Sequence, residues 1–144
     1  MANEEIIDSP SGWVAEHIQS YVSTNGEEGF TWNGAQILLL STRGRRSGKW
    51  RRTALIFGES GPDYVIVASK GGAPDNPLWY ENLAADGHVR VQIRGEVFDA
   101  HARTVTDDAE RAALWPIMTA QWPDYDAYQQ KTDRKIPVVV LSRA

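Results

Sequence analysis

The sequence predicts a mainly β protein with flanking helices: about six strands and three to four helices, forming a small barrel or curled sheet with helices over its openings. Short apolar or alternating runs recur along the chain, each ended by a glycine, proline or charged turn. Antiparallel connections dominate, which disfavours a doubly wound fold. The 144 residues fit one domain, 1–144, with residues 1–35 as N-terminal arm, helix and loop. A chain of this size buries roughly 68–70% of its unfolded surface and needs no disulfide or metal to fold.

Residues 1–8 are polar around Ile6-Ile7 and predict a loose arm. A first helix is expected over about 10–22, with Ser9 as N-cap and Pro10 at the first helical position. Val14, Ile18, Tyr21 and Val22 give it one apolar face. Residues 23–35, with Gly26, Gly29 and Gly34, read as a loop in which Phe30 and Trp32 either cover a pocket or pin the loop down, pinning being the favoured reading. Residues 37–42 are a continuous apolar run and a central strand. A basic turn, 43–49, leads into a strand over 50–57 and a second turn over 60–63. Residues 64–68 return as a buried strand. Asn76 and Pro77 then open a helix, Asn as N-cap, which ends near Asp86 with Gly87 as C-terminal cap. Strands follow over 88–93 and 96–104 around Arg94-Gly95. Asp107 and Asp108 start a helix that runs toward Trp122, with Pro116 kinking or splitting it. A short helix over 124–130 puts Tyr125 and Tyr128 on one face. Residues 136–141 close the chain as a strand.

Composition narrows the chemistry. The chain has no cysteine, which excludes disulfides, thiolate catalysis and cysteine-held metals. Its net charge of −4 argues against a general nucleic-acid binder. No apolar run reaches the ~18 residues of a membrane span, and the expectation is a cytoplasmic protein without a transmembrane segment. His17, His88 and His101 lack metal-ligand spacing, and no metal site is expected. No Gly-x-Ser-x-Gly elbow is present.

Two stretches point to a ligand. Residues 69–83 join a strand, two glycines, a helix N-terminus and the aromatics Trp79 and Tyr80, which together suit a planar anionic ligand. The same pattern also suits a plain strand-to-helix connection with Trp79 in the core. The turn 43–49 holds four cations and two glycines, with Ser47 as a hydroxyl donor. Guanidinium groups and glycine-turn N–H groups bind phosphate and carboxylate; a solvated hairpin tip is the alternative. A strand follows this turn, which separates it from a Walker loop. Trp122, Tyr125 and Tyr128 are the remaining aromatic candidates.

Three stretches taken together resemble the deazaflavin-dependent nitroreductase family, whose members use coenzyme F420. They are residues 40–51, residues 68–83 with Pro77-Leu78-Trp79-Tyr80-Glu81-Asn82-Leu83, and Trp122-Pro123-Asp124-Tyr125 leading to Asp133-Arg134-Lys135-Ile136-Pro137-Val138. The match spans about residues 36–141. The resemblance implies a split β-barrel of the FMN-binding type and an F420H2-dependent reductase. It implies that Arg45, Arg46, Ser47, Gly48, Lys49 and Arg51, with Trp50 among them, hold the phosphate and acidic tail of F420. Leu39, Leu40, Ser41, Val67, Ala68, Ser69 and Lys70 would line the deazaflavin, and Leu78, Trp79, Tyr80, Glu81 and Asn82 would complete the groove. Tyr125, Tyr128 and Ser69 are the candidate catalytic residues, Tyr125 touching cofactor as well. The partner would be a small-molecule electron acceptor: an enone, a quinone or a nitroaromatic. An FMN-dependent reductase on the same barrel and a non-catalytic F420 carrier are the alternatives. The chain departs from relatives at Ala54, Ile56 and Trp122, where proline, an aromatic residue and tyrosine occur. The oligomeric state is left open.

Overall fold

The computed structural model describes residues 6–8 and 12–144. In chain order the elements are β1 (Ile6–Asp8), α1 (Gly12–Ser23), β2 (Thr31–Trp32), β3 (Ala35–Arg43), β4 (Trp50–Ile56), β5 (Gly58–Ser60), β6 (Asp63–Val67), a 3₁₀ turn (Lys70–Gly72), α2 (Leu78–Ala85), β7 (His88–Ile93), β8 (Glu96–Thr104), α3 (Asp108–Gln121), α4 (Tyr125–Gln130) and β9 (Val138–Arg143). The strands form one curled sheet in the order β1-β4-β3-β7-β8-β9-β6-β5, with β2 paired to β3. Every pairing is antiparallel except β1 with β4. β4 also approaches β6, so the sheet turns back on itself.

Three strands are covered on both faces, which explains their unbroken apolar runs. In β3, Leu38 and Leu40 point into the barrel, while Ile37 and Leu39 lie under Ile18 and Tyr21 of α1. In β6, Ile66 points inward and Val65 and Val67 lie under α3 and α4. In β9, Val139 and Leu141 face the barrel, and Val138 and Val140 face Leu114, Met118 and Tyr125. Each fully buried aliphatic side chain contributes roughly 1.5–3 kcal/mol relative to exposure.

Several expectations need correction. The strand count is nine rather than about six, because β1, β2 and β5 are two or three residues long and carry no readable period. Ile6–Asp8 are not a loose arm: they pair with Trp50, Arg51 and Arg52 on the edge of β4, and Asp8 accepts two hydrogen bonds from Arg52, at 2.6 and 3.2 Å. Residues 1–5 and the expected Ser9-Pro10 cap lie outside the described residues. Thr31–Trp32 belong to a hairpin rather than a loop; its tip, Asn33-Gly34, has φ of 50° and 83°, the left-handed pair such a turn demands. Val22 is exposed although the helical face predicted it buried.

The cap of α2 is Pro77, not Asn76, whose side-chain oxygen accepts from Arg134 instead. Asp86, in extended conformation, ends that helix, not Gly87. Gly87 serves close packing: a Cβ there would lie 3.1 Å from the Ala102 carbonyl oxygen. α3 runs through Pro116 without splitting, with Asp107 capping it through a 2.8 Å bond from the Glu110 N–H. β9 starts at Val138 rather than Ile136, after Pro137, which has no N–H to donate. Among the described residues no helix is long and apolar enough to cross a membrane.

Candidate functional site

A cavity of about 490 Å³ opens between the curled sheet and its helices. Its walls come from distant parts of the chain: Val14 and His17 on α1, Trp32 on β2, Ile37 on β3, residues 53–56 on β4, Val67 on β6, residues 69–71, Pro77 and Trp79, then Trp122, Tyr125 and Tyr128. Two tryptophans close one side. The rings of Trp32 and Trp122 stack at 5.1 Å, and Trp122 Nε1 donates to the Tyr128 hydroxyl at 3.2 Å. His17 is held by its Nε2 donating to the Gly29 carbonyl at 2.7 Å.

Tyr125 is buried, with its ring against Tyr128 and Trp115 at 6.0 and 6.4 Å. Its hydroxyl bonds to no other described residue, yet no fully buried side-chain oxygen or nitrogen among the described residues lacks a partner. The hydroxyl therefore reaches the cavity surface. Burial, with a smaller contribution from Tyr128, pushes its pKa well above the ordinary tyrosine value. It keeps its proton at any working pH and acts as a hydrogen-bond donor.

The cavity floor is the loop after β6. Lys70, Gly71 and Gly72 have φ of 47°, 63° and 83°. At Gly72 a Cβ would lie 2.6 Å from the Tyr128 carbonyl oxygen, so glycine lets α4 sit on the loop. The main-chain N–H groups of Ser69, Lys70 and Gly71 have no acceptor among the described residues. Arg134 clamps the loop from its other side. Its guanidinium donates to the carbonyls of Ala73 (2.8 Å), Ala68 (3.2 Å) and Ser69 (2.7 Å) and to Asn76 Oδ1 (2.7 Å).

The basic turn adjoins this floor through α2. Gly44 closes it with main-chain bonds of 2.8 Å to Lys49 and from Gly48. A Cβ on Gly44 would come within 2.7 Å of Ser47 Oγ. Arg45 donates to Asn82 Oδ1 from its main chain (3.3 Å) and its guanidinium (3.0 Å), and lies 3.8 Å from Glu81. Asn82 in turn donates to Thr42 Oγ1. Arg46, Ser47, Gly48, Lys49 and Arg51 are exposed. Among the described residues Arg46, Lys49 and Arg51 make no ion pair. The cavity thus joins an apolar aromatic slot to a row of free N–H groups, while Arg45, Arg46, Ser47, Gly48, Lys49 and Arg51 do not line it and form a separate cluster of exposed residues at the turn.

Residues 13–143 match the family described as F420H2-dependent quinone reductase. The chain belongs to the F420H2-dependent quinone reductase family. An F420H2-dependent quinone reductase of Mycobacterium tuberculosis is 41% identical over 145 residues, covering 92% of this chain and 97% of that one. A second one described as putative, from the same species, is 36% identical over 104 residues, 72% of this chain and 87% of that one. A solved F420H2-dependent reductase superposes with a TM-score of 0.68 at 41% identity, covering 74% of this chain and 93% of that one. The haem storage protein HutZ of Vibrio cholerae shares the fold alone, at 18% identity and a TM-score of 0.59 over 75% of this chain and 81% of that one. The chain is an F420-dependent oxidoreductase with a split-barrel fold, and coenzyme F420 is its cofactor.

The family's cofactor fits these residues. A flat ring suits the slot between β6, the glycine loop and Trp79, and a long acidic tail suits the exposed cations. Of the residues that the resemblance marked, Val67, Ser69, Lys70, Trp79, Tyr125 and Tyr128 line the cavity. Others do not. Leu39 faces α1 and Leu40 the barrel interior, because neighbours on a strand point to opposite faces. Ser41 and Ala68 are buried. Trp50 is buried between the guanidiniums of Arg43 and Arg90, at 4.6 and 4.5 Å. Leu78 is exposed, Tyr80 bonds Thr104 at 3.0 Å, and Glu81 and Asn82 hold Arg45.

Sequence reasoning missed Val14, His17, Ile37, Thr53 and Leu55 as lining residues, and Arg134 as the loop's clamp. Phe30 does pin its loop, edge-on to Phe57 at 6.1 Å, whereas Trp32 lines the cavity as well. Ala54, Ile56 and Trp122, which the resemblance singled out as departures, all lie on the cavity wall.

Proposed function

We propose that this protein reduces a planar quinone held in the Trp32–Trp122 cavity, with Tyr125 donating a hydrogen bond to the acceptor oxygen. Bound F420H2 supplies the hydride. Arg45, Arg46, Ser47, Gly48, Lys49 and Arg51 are the seat for the acidic tail, and Val67, Ser69 and Lys70 flank the ring. Reduction adds a hydride and a proton to the quinone and builds negative charge on a carbonyl oxygen. A donor already aimed into an apolar cavity stabilises that charge without reorganising. Enones and nitroaromatics develop the same charge on oxygen and are proposed as further acceptors. Tyr128 orients its hydroxyl toward Trp122, and Ser69 offers a second hydroxyl at the floor.

The free, cavity-facing hydroxyl of buried Tyr125 carries this reading. Anaerobic oxidation of F420H2, followed optically with a naphthoquinone, an enone and a nitroaromatic, tests it. The naphthoquinone should be reduced fastest. Tight F420 binding with no turnover of any acceptor would establish a carrier instead.

A further inference from the structure

We propose that Arg134 is a positioning residue, which aims the main-chain N–H groups of Ser69 and Lys70 into the cavity as a donor pair for a negatively charged or strongly polarised oxygen of a planar ring. The inference rests on the cofactor assignment. A trans peptide points its C=O and N–H in opposite directions, and no peptide in the described residues is cis. Arg134 Nη1 holds the Ala68 carbonyl and Nη2 holds the Ser69 carbonyl, at 3.2 and 2.7 Å. The N–H groups of those two peptides belong to Ser69 and Lys70, and they point away from Arg134. Both residues line the cavity, while Arg134 does not. Neither N–H has an acceptor among the described residues.

Two more bonds, to the Ala73 carbonyl and Asn76 Oδ1, fix the guanidinium plane, so the fork cannot swing. A cation on the carbonyl side also polarises each peptide and strengthens its N–H as a donor. Lys70 holds a left-handed φ of 47° with a full side chain. Four bonds from one residue over-determine that conformation.

The test uses the whole protein as Arg134→Gln and Arg134→Lys variants. Oxidised F420 is titrated into each, and the acid–base transition of the bound chromophore is read by absorbance. Oxidised deazaflavin is a weak acid whose anion spreads charge over ring oxygens, so a donor pair favours the bound anion. In the unaltered protein the bound transition should lie below that of free F420. Arg134→Gln should move it back by about one pH unit, the size of one charge-assisted hydrogen bond, and weaken F420 binding roughly tenfold. Arg134→Lys, which keeps charge but loses the planar fork, should fall between. A lowered melting temperature with the chromophore transition unmoved in both variants would overturn the inference and leave Arg134 purely structural. Failure of the unaltered protein to bind F420 would overturn the cofactor assignment, and this inference with it.

Discussion

Tyr125→Phe removes one oxygen and leaves the ring. The hydroxyl has no partner among the described residues, so no hydrogen bond between them is lost and stability should stay within roughly 0.5 kcal/mol. The acceptor loses a donor at the point where charge develops. A hydrogen bond to a charged group is worth about 1.5–3 kcal/mol, which lowers kcat with a naphthoquinone roughly tenfold to a hundredfold. F420 affinity should change by no more than a few-fold. Tyr125→Ala is the control: it empties space between Trp115, Tyr128 and β9 and should cost roughly 3–5 kcal/mol. Stopped-flow kinetics, F420 titration and thermal melts on the same preparations separate the two effects. Unchanged kcat in a stable Phe variant would refute the assignment of Tyr125 as donor.

Arg46→Ala and Lys49→Ala should each weaken F420 binding roughly tenfold. Titrations at rising salt should narrow the gap, since the two side chains are exposed. Trp32→Ala should raise KM for a bicyclic quinone and leave F420 affinity unchanged in parallel titrations, because its ring stacks on Trp122 in the wall proposed to hold the acceptor. Burial raises the pKa of Tyr21 and Tyr125 above the ordinary 10.0. The folded state then holds protons that the unfolded state releases above about pH 10, so this stabilisation is intact below that pH and is lost as pH rises toward the folded values. Urea melts across this range should show the decline, and Tyr125→Phe should make it shallower.

Strands covered on both faces were the most legible part of the fold. Residues 64–68 and 37–42 announce themselves because β6 and β3 face the barrel on one side and helices on the other. β2 was not legible: two residues have no period, and its purpose is to bring Trp32 to Trp122, ninety residues on. The cap of α2 failed for a related reason. Asn76-Pro77 fits local rules, but Arg134 claims the Asn76 side chain from 58 positions away. Among the cavity residues, Tyr125 and Tyr128 were legible by type. The arrangement of the other marked residues was not, since strand alternation splits Leu39 from Leu40 and a pair of guanidiniums encloses Trp50. The resemblance to deazaflavin-dependent nitroreductases implied the split barrel that local patterns left as a barrel or a curled sheet.

The two halves of the site depend on different parts of the fold. The cations sit on the turn between β3 and β4 and the free N–H groups on the loop between β6 and α2, held by main-chain bonds and by Arg45 and Arg134. The wall proposed for the acceptor comes from α1, the β2 hairpin, Trp122, α4 and residues 53–56 of β4. Ala54, Ile56 and Trp122 fall in that wall and none of them in the cation turn, so substitutions there would alter the space proposed for the acceptor without touching the cations. Arg46 lies on the cation turn and Trp32 on the cavity wall. Losses in kcat/KM for quinone reduction from changing both should add, within about 0.3–0.5 kcal/mol, if the two positions act independently. A larger coupling in a double-mutant cycle would show that cofactor and acceptor are held by one connected set of contacts.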